Sequence, residues 1–460
     1  MCEVTGYNAT DVRGAHAQGL LPNHTVDLAL SRLYEGLARA GYFDAPGSSP
    51  WARLGWADVN TPAAQALALR SAADGLVLKK NDAGLLPLAL PANRTTVVAL
   101  VGHWAAATRH MLGGYSGTPP YFHHPAAAAA ALNLTVRTAG GPVAQNLSRV
   151  NDTWTAPALE AAAAADVVVY CGGLDMSQEG EDRDRTSLAW PAAQLALVRS
   201  LAALGKPLVV AQLGGQLDDS PLLADNRIGA VVWAGYPGQD GGGALLDVLT
   251  GRTPPAGRLP VTQYPASYAD ALPLTSMALR PGPGGRPGRT YRWYDGSAVL
   301  PFGHGLHYTT FAARVDAAAA NPSYAIADLA RGCGAAHPDL CPFPAPGVTV
   351  RNTGGRASDF VLLAFLAGRY GPAPHPRKTL AAYRRLRGVK PGETAAARLE
   401  MTLGALARTD EAGNLVLYPG TYELLLDEPT QDRITFELTG EELVLDRFPQ
   451  PRTANGTTTG

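Results

Sequence analysis

The stretch Ala165–Trp190, ADVVVYCGGLDMSQEGEDRDRTSLAW, decides the fold of the middle of the chain. It opens with the apolar run Val167–Cys171, and Gly172 and Gly173 close that run. A short β-branched run of this kind is typical of a strand buried on both faces. The residues between this strand and Trp190 form a loop, here named the acidic loop. Because ligands bind outside the carboxyl ends of strands in open α/β sheets, this loop is the first candidate for a functional site.

The acidic loop crowds carboxylates together and interleaves them with two arginines: Asp175, Glu179, Glu181, Asp182 and Asp184, with Arg183 and Arg185. Crowding is one way to raise the pKa of a carboxyl group until it acts as an acid near neutral pH. A solvated charge run at a loop tip explains the same residues, and from the loop alone that explanation is favoured, since structural networks also perturb carboxylates.

Length and composition restrict the class of protein. A chain of 460 residues predicts roughly two or three domains, and 46% hydrophobic residues suffice for sizeable cores. The net charge of −1 gives no reason to expect nucleic acid or an anionic membrane as a partner. No apolar run reaches the ~18–20 residues that span a bilayer, and the first residues have neither the basic nor the apolar region of a signal peptide.

Two features nevertheless favour a secretory origin. N-glycosylation sequons begin at Asn8, Asn23, Asn93, Asn133, Asn146, Asn151 and Asn455. Cys333 and Cys341 lie close enough in sequence to close a small disulfide loop, whereas Cys2 and Cys171 have no evident partner. If the parent protein is secreted, the absence of a signal peptide implies that Met1 is not its natural N-terminus.

Helices are predicted for the first part of the chain. Apolar residues fall at helical spacing in Thr25–Gly41, and Gly41 is suited to end that helix. A second helix is predicted to begin at Thr61 and Pro62, an N-cap followed by proline, and to continue towards Leu78.

From about residue 95 to residue 300 predicted strands alternate with helices, which indicates a mostly parallel sheet covered on both faces. The predicted strands are Val97–Val101, Leu134–Thr138, Val167–Cys171, Leu208–Gln212 and Ile228–Trp233. The helices between them are Ala126–Leu132, Ala158–Ala164, Ala193–Leu204 and Ala244–Leu249. Val261–Tyr264 is a candidate edge strand.

From about residue 311 short strands separated by turns replace the helical pattern, which is typical of an all-β sandwich. The predicted strands are Val348–Arg351, Phe360–Ala367, Ala396–Met401, Tyr422–Leu426 and Ile434–Leu438.

Cofactor and metal motifs are not found. The glycine-rich segment Gly235–Gly243 matches neither the dinucleotide nor the phosphate-loop pattern, and a structural turn is favoured over an anion or sugar-hydroxyl site. The histidines His123, His124, His304 and His307 lack metal-ligand spacing, and no GxSxG nucleophile motif occurs. We therefore expect neither a cofactor nor a metal.

Several long motifs, in order along the chain, resemble glycoside hydrolase family 3, and in particular its β-xylosidase branch. Besides the acidic loop they are Arg70–Asp82 (RSAADGLVLKKND), Met111–Tyr121 (MLGGYSGTPPY), Trp233–Gln239 (WAGYPGQ), Pro255–Pro265 (PAGRLPVTQYP) and Phe302–Phe311 (FGHGLHYTTF). The resemblance implies an α/β/α sandwich with a mostly parallel sheet, followed by a fibronectin-III-like β-sandwich.

The resemblance also implies domain boundaries. Residues 1–75 would be the C-terminal helical remnant of a (β/α)8 barrel and a linker. Residues 76–300 would be the α/β/α sandwich, residues 301–453 the fibronectin-III-like domain, and residues 454–460 a disordered tail. Most of the barrel, which bears the catalytic nucleophile in the family, is then expected to be missing.

The site residues carried over from the family lie on the acidic loop. The pattern Glu-x-Glu-x-x-Asp-Arg implies Glu181 as the general acid/base, with Glu179 as the alternate, and Asp184 and Arg185 as an ion pair that braces the loop. No residue of the chain matches the family's nucleophile.

The expected function is therefore that of a retaining exo-β-xylosidase acting on xylo-oligosaccharides or another β-linked glycoside, with this chain inactive alone. The alternatives are a non-catalytic carbohydrate-binding or interaction module, or the α-L-arabinofuranosidase or β-glucosidase activity of other family members. The parent protein is expected to be extracellular, and the sequence does not indicate an oligomeric state.

Overall fold

The computed structural model describes residues 9–90, 95–132, 134–143, 152–181, 183–316, 320–331 and 333–449. By its internal contacts the chain divides into two units, Met1–Leu67 and Ala68–Gly460. The predicted tail, residues 454–460, lies outside the described residues.

The first unit is helical, as predicted. It contains α1 (Ala9–Ala17) and α2 (Asn23–Arg39), and α3 (Pro62–Gly75) begins in it. Gly41, at φ +75°, lies just beyond α2 in the left-handed conformation that commonly ends a helix. The Thr61 hydroxyl accepts a hydrogen bond from the amide of Ala64 at 3.2 Å, which confirms the predicted cap.

A six-stranded sheet organises the first part of the second unit, in the order β1-β6-β5-β4-β2-β3. Its strands are β1 (Val77–Asn81), β2 (Val97–Val101), β3 (Thr135–Ala139), β4 (Val167–Gly173), β5 (Leu208–Leu213) and β6 (Ala230–Gly235). Strands β2 to β6 run parallel, and β1 pairs antiparallel with β6. The predicted parallel sheet is therefore present, with one antiparallel edge strand.

Helices cover both faces of this sheet and create two hydrophobic cores. The helices of the region are α4 (Pro125–Ala131), α5 (Thr155–Ala163), α6 (Ala192–Ala202), α7 (Ser220–Leu223), α8 (Gly241–Leu249), α9 (Tyr268–Ala271) and α10 (Thr290–Trp293). Residues of α4 and α8 contribute to one core and residues of α5 and α6 to the other. All seven residues of β4 are buried, as expected for a central strand.

Two predictions about this sheet were wrong. The helix from Thr61 does not continue to Leu78, because it ends at Gly75 and the next residues form β1. Leu76, just before that strand, and Val77 and Leu78 within it are fully buried, so pairing with β6 satisfies the backbone of an apolar segment. The segment Val261–Tyr264 is not an edge strand, since its ladder contact is a single bridge between Gln263 and Leu300.

The last part of the second unit is a β-sandwich, which confirms the predicted fold class. Its main strands are β7 (Phe311–Val315), β8 (Ser323–Ala325), β9 (Pro342–Phe343), β10 (Gly347–Asn352), β11 (Ser358–Tyr370), β12 (Thr379–Val389), β13 (Thr394–Arg398), β14 (Met401–Thr402), β15 (Arg408–Thr409), β16 (Leu415–Leu417), β17 (Gly420–Leu426), β18 (Asp432–Thr439) and β19 (Leu443–Asp446). A three-stranded sheet, β13-β10-β7, and a five-stranded sheet, β12-β11-β17-β18-β8, enclose one core.

Short helical elements and one disulfide complete the sandwich. The helices are α11 (Ile326–Arg331) and α12 (Leu403–Leu406). Cys333 and Cys341 are joined by a disulfide, with their Cα atoms 5.6 Å apart. Cys171 is a free buried thiol whose pKa burial raises to about 12, so it has the character of an inert core residue. Cys2 lies outside the described residues.

Candidate active site

Loops that follow the parallel strands β2, β4, β5 and β6 meet at the carboxyl edge of the sheet. From β2 the chain passes to β3 on one side, whereas β4, β5 and β6 follow on the other side. The strand order thus reverses between β2 and β4, and such a reversal is where open α/β sheets bind their ligands. The acidic loop leaves β4 at this point.

The turn at the end of β4 needs glycine. Gly173 has φ +119°, and a Cβ atom there would lie 2.0 Å from the carbonyl oxygen of Leu213 on the neighbouring strand. A larger residue would push the two central strands apart where the acidic loop begins. Glycine permits the close approach that brings this loop beside the loop after β5.

Glu179 is held by two residues of neighbouring loops and by one arginine of its own loop. Its Oε1 accepts hydrogen bonds from the amide of Gly215 at 2.6 Å and from the hydroxyl of Tyr236 at 2.7 Å. Its Oε2 lies 3.1 Å from Nε of Arg185. Burial, then the hydrogen bond to Glu179, raises the pKa of Tyr236, so that hydroxyl remains a donor. Glu179 therefore ties the acidic loop to the loops after β5 and β6.

Glu181 has a different environment, two residues further along. It is exposed, and its Oε2 accepts a hydrogen bond from the hydroxyl of Tyr115, on the loop after β2. The structure thus separates the two candidate carboxylates, since one is fixed by an arginine and an amide and the other faces solvent beside a neutral hydroxyl. Asp182 lies outside the described residues.

The predicted ion pair between Asp184 and Arg185 was wrong, because Arg185 pairs with Glu179 instead. Arg185 turns inward, where it pairs with Glu179 and its Nη1 donates to the carbonyl of Gln216 at 2.8 Å, while Asp184 remains exposed. Arg185 does support the loop, but it does so by joining two loops through charge-assisted hydrogen bonds.

Asp175 fixes the base of the acidic loop. Its Oδ1 accepts hydrogen bonds from the amide and the hydroxyl of Ser177 at 2.8 and 2.6 Å, and its Oδ2 lies 3.5 Å from Nδ1 of His110. Burial by itself would raise the pKa of Asp175, but these hydrogen bonds and the charges of His110 and His103 outweigh burial, so the pKa is lowered. A charged Asp175 holds the first turn of the loop.

A buried polar network supports the loop after β5 from below. Lys79 of β1 donates from Nζ to Gln212 at 2.7 Å, to Gln216 at 2.9 Å and to Asp219 at 2.7 Å. The side chains of Lys79 and Asp219 are both fully buried. Asp219 also accepts a hydrogen bond from the indole of Trp190, where the acidic loop ends.

Lys79, Tyr115 and Tyr236 lie in motifs quoted in the sequence analysis, but sequence reasoning gave no individual role at this site to them or to Gly215. Their partners lie far away along the chain, so no local pattern predicts these contacts. One signal was present for Lys79, because a lysine within an apolar, β-branched segment that becomes buried must find a partner.

The glycine-rich turn before α8 behaves as a structural turn. The amides of Gly241 and Gly242 donate to the carbonyls of Gly238 and His123 at 3.1 and 2.9 Å, which satisfies two of the groups that would otherwise bind an anion. His123 pairs with Asp240 at 2.7 Å, and His304 contacts the carbonyl of Lys79 at 3.2 Å.

The remaining predicted features have simple outcomes. Asn23 lies in α2 with an exposed side chain, and the other six sequon asparagines fall outside the described residues. Within the described ranges no group of three His, Cys, Asp or Glu side chains is arranged to hold a metal ion. Of the helices described, none combines the length and apolar character needed to cross a membrane.

Comparisons with known proteins agree with this architecture. Residues 76–308 match the glycosyl hydrolase family 3 C-terminal domain, and residues 361–428 match a fibronectin type III-like domain. The "Probable exo-1,4-beta-xylosidase bxlB" of Aspergillus fumigatus is 48% identical over 441 residues, which cover 94% of this chain and 56% of that protein. The Neosartorya fischeri protein "Probable exo-1,4-beta-xylosidase xlnD" is 47% identical over 441 residues, with coverage of 94% and 56%.

A solved structure described as a GH3 exo-beta-xylosidase (XlnD) in complex with a xylobiose aziridine activity-based probe superimposes with a TM-score of 0.87. It is 40% identical, and the match covers 96% of this chain and 57% of that one. The α/β sheet with a candidate site at its carboxyl edge is the C-terminal domain of a glycoside hydrolase. Because the family model matches residues 76–308, the chain belongs to glycoside hydrolase family 3. It spans 56% of the length of the two curated relatives named above.

Proposed function

We propose that this chain provides the general acid/base of a retaining exo-β-xylosidase and that Glu181 is that residue. The observation that carries the proposal is the contrast between the two loop carboxylates. An acid/base must reach the substrate and change its protonation state twice in each cycle. Exposed Glu181, beside a neutral hydroxyl, meets both requirements, whereas Glu179 is occupied by Arg185, Gly215 and Tyr236.

The proposed reaction proceeds in two steps. Protonated Glu181 gives its proton to the glycosidic oxygen as the bond between that oxygen and the anomeric carbon breaks, while a second carboxylate bonds to the anomeric carbon. Ionised Glu181 then takes a proton from water as the water oxygen attacks the anomeric carbon and releases the second carboxylate. The second carboxylate is assigned to the family's barrel.

The proposed substrate is the non-reducing end of a xylo-oligosaccharide. Support comes from the relatives' descriptions as exo-1,4-beta-xylosidases and from the xylobiose-based probe bound to the solved family member. We further propose that the parent protein is extracellular, as the sequons and the disulfide Cys333–Cys341 favour. Since the nucleophile belongs to the barrel in the family, the chain alone should not hydrolyse aryl β-xylosides.

The test compares Glu181→Gln with Glu179→Gln in the chain joined to the part of the Aspergillus fumigatus relative outside the match, where the family's barrel is expected. This protein is here named the barrel-joined chain. Glu181→Gln should lower kcat on xylobiose by about 10²–10⁴-fold. It should affect kcat/KM on 2,4-dinitrophenyl β-xyloside far less, because that leaving group departs without a proton, whereas hydrolysis of the intermediate still needs the missing base. Added azide should restore turnover of the activated substrate, since its attack needs no general base.

The control variant tests which glutamate is the acid/base, and the alternative sugars test the proposed substrate. If Glu179→Gln, and not Glu181→Gln, gives the leaving-group and azide pattern, the assignment is wrong. Faster turnover of aryl β-glucosides or α-L-arabinofuranosides than of β-xylosides would overturn the proposed sugar. A barrel-joined chain that binds xylobiose without hydrolysing it would instead support a carbohydrate-binding module.

A further inference from the structure

The loop after β2 lies against the acidic loop at several points, through residues 109–117, here named the 109–117 segment. Nδ1 of His110 lies 3.5 Å from Oδ2 of Asp175. The hydroxyl of Tyr115 donates to Oε2 of Glu181. Between these contacts Gly114 lies next to Met176, since a Cβ atom on Gly114 would be 3.3 Å from Cε of Met176. The contacts therefore follow the same order along the 109–117 segment and along the acidic loop.

The base of the 109–117 segment is anchored in the fold. Met111 is fully buried in the core on one face of the sheet, and its carbonyl accepts a hydrogen bond from the amide of Gly238 at 2.9 Å. Gly113 has φ +70°, and a Cβ atom there would lie 3.2 Å from the ring of Tyr236. The segment is thus fixed to the loop after β6, and its outer residues project from a defined base.

Tyr115 adopts a conformation that the rest of the segment must maintain. Its φ is +54°, a value that residues other than glycine seldom adopt, and its side chain is 89% exposed. Sparsely populated backbone conformations of this kind persist only where the surrounding structure determines them, and they cluster at functional sites. Here the conformation carries the ring out of the core to the tip of the acidic loop, at the point where the strand order reverses.

The chemistry of the contact suits a residue that exchanges protons. A tyrosine hydroxyl both donates and accepts hydrogen bonds, so it has a partner for a carboxyl group in either protonation state. Arginine, by contrast, donates only and favours the ionised form, as in the pair between Arg185 and Glu179. A neutral hydroxyl thus orients a carboxyl group without fixing its charge.

We propose that Tyr115 is a positioning residue that orients Glu181 for proton transfer, an inference that rests on the proposed role of Glu181 as the acid/base. Tyr115 keeps its own proton throughout, and the proton that moves to the leaving oxygen and returns from water is the one on Glu181. The loop after β2 therefore belongs to the catalytic apparatus through this contact.

The first test uses the 460-residue chain and does not depend on turnover. The chain is treated at pH 6 with a water-soluble carbodiimide and a tagged amine, and mass spectrometry quantifies the label on Glu181 and Glu179. Tyr115→Phe should raise labelling of Glu181 about three- to tenfold, because the carboxyl group loses its donor and becomes more accessible. Labelling of Glu179 should not change. Glu181→Gln identifies the labelled position.

Two variants serve as controls for this labelling. Tyr121→Phe removes a hydroxyl that donates to Asp240 at 3.3 Å, near the same segment, and should leave the label on Glu181 unchanged. Tyr115→Gly relieves the positive φ but also removes the hydroxyl, so it should resemble Tyr115→Phe. Unchanged Glu181 labelling in Tyr115→Phe would overturn the inference, and so would an effect of Tyr115→Gly alone, since the backbone and not the hydroxyl would then be responsible.

The second test measures kinetics in the barrel-joined chain. Tyr115→Phe should lower kcat on xylobiose about five- to twentyfold with little change in KM. It should leave kcat/KM on 2,4-dinitrophenyl β-xyloside within about twofold, because that ratio reports the step in which the leaving group departs without a proton. Equal losses of kcat/KM on both substrates would contradict a role in proton transfer to the leaving group. If Glu181→Gln lacks the leaving-group pattern, the proposed function fails, while the labelling still reports whether Tyr115 holds Glu181.

Discussion

The buried network around Lys79 and the tip of the acidic loop carry similar chemical groups in opposite environments. Lys79 and Asp219 form a fully buried ion pair, and neighbouring amide side chains add further hydrogen bonds. Glu181 at the loop tip is exposed and contacts the hydroxyl of Tyr115. A charge enclosed by partners is fixed and supports the fold, whereas an exposed carboxylate beside a neutral donor can gain and lose a proton. This contrast supports the proposal that one region stabilises the fold and the other carries the chemistry.

The largest expected effect is the loss of Lys79. Lys79→Met leaves the Asp219 carboxylate buried with Trp190 and Gln263 as its remaining donors. Breaking one side of a buried ion pair costs about 3–5 kcal/mol, so the free energy of unfolding should fall by that amount. Urea denaturation followed by tryptophan fluorescence measures the change.

The matched control replaces both partners of the pair. Lys79→Met combined with Asp219→Leu removes both charges and should recover part of the lost free energy, since no buried charge is then left without its partner. A loss below about 1 kcal/mol for Lys79→Met would show that water reaches the network, and the contrast with the exposed loop tip would no longer hold.

A second expected effect is that the free energy of unfolding depends on pH through His103, which lies near the base of the acidic loop. Burial and, to a smaller extent, the charge of His110 lower the pKa of His103 to about 4, against the opposing charge of Asp175. The unfolded chain therefore binds more protons than the folded chain between about pH 4 and pH 6.5. Stability should fall as pH decreases through this window, by about 2 kcal/mol once partial solvent exposure is taken into account.

The measurement is urea denaturation at several pH values across this window. His103→Asn should flatten the slope of the unfolding free energy against pH, while His110→Asn, at an exposed residue, should change the slope less. His307 contributes in the same direction, because burial lowers its pKa to about 3, but it lies away from the acidic loop. An unchanged slope in His103→Asn would show that His103 is hydrated in the folded chain.

The strands and the site differ in how far the sequence could predict them. Strands β2, β4 and β5 were predicted because a buried parallel strand is a continuous β-branched run, which is a local signal. Strand β1 was taken for the end of a helix, because Lys79 and Lys80 interrupt its apolar run. Lys79 becomes tolerable there only through Asp219, 140 residues away.

The same reason limited the prediction of the site. The acidic loop was identified from its composition and its position after a buried strand, both of which are local. The roles of its two glutamates depend on Gly215, 36 residues from Glu179, and on Tyr115, 66 residues from Glu181. Contacts at such separations follow from the order of the strands in the sheet, so a single sequence leaves the choice between the two carboxylates open.

The smallest expected effect separates these two carboxylates by stability alone. Glu179→Gln turns a partner of Arg185 into a neutral amide while the hydrogen bonds to Gly215 and Tyr236 are partly kept, so the free energy of unfolding should fall by about 1–2 kcal/mol. Glu181→Gln should cause no measurable loss, because its side chain is exposed.

Urea denaturation at pH 7 measures both variants, with Asp184→Asn as the control for removing an exposed negative charge from the same loop. Equal losses for Glu179→Gln and Glu181→Gln would mean that the loop tip is as firmly held as its base, which would argue against an acid/base that needs freedom to exchange protons. A loss confined to Glu179→Gln, joined to a loss of turnover confined to Glu181→Gln, would show that neighbouring carboxylates on one loop divide support and catalysis between them.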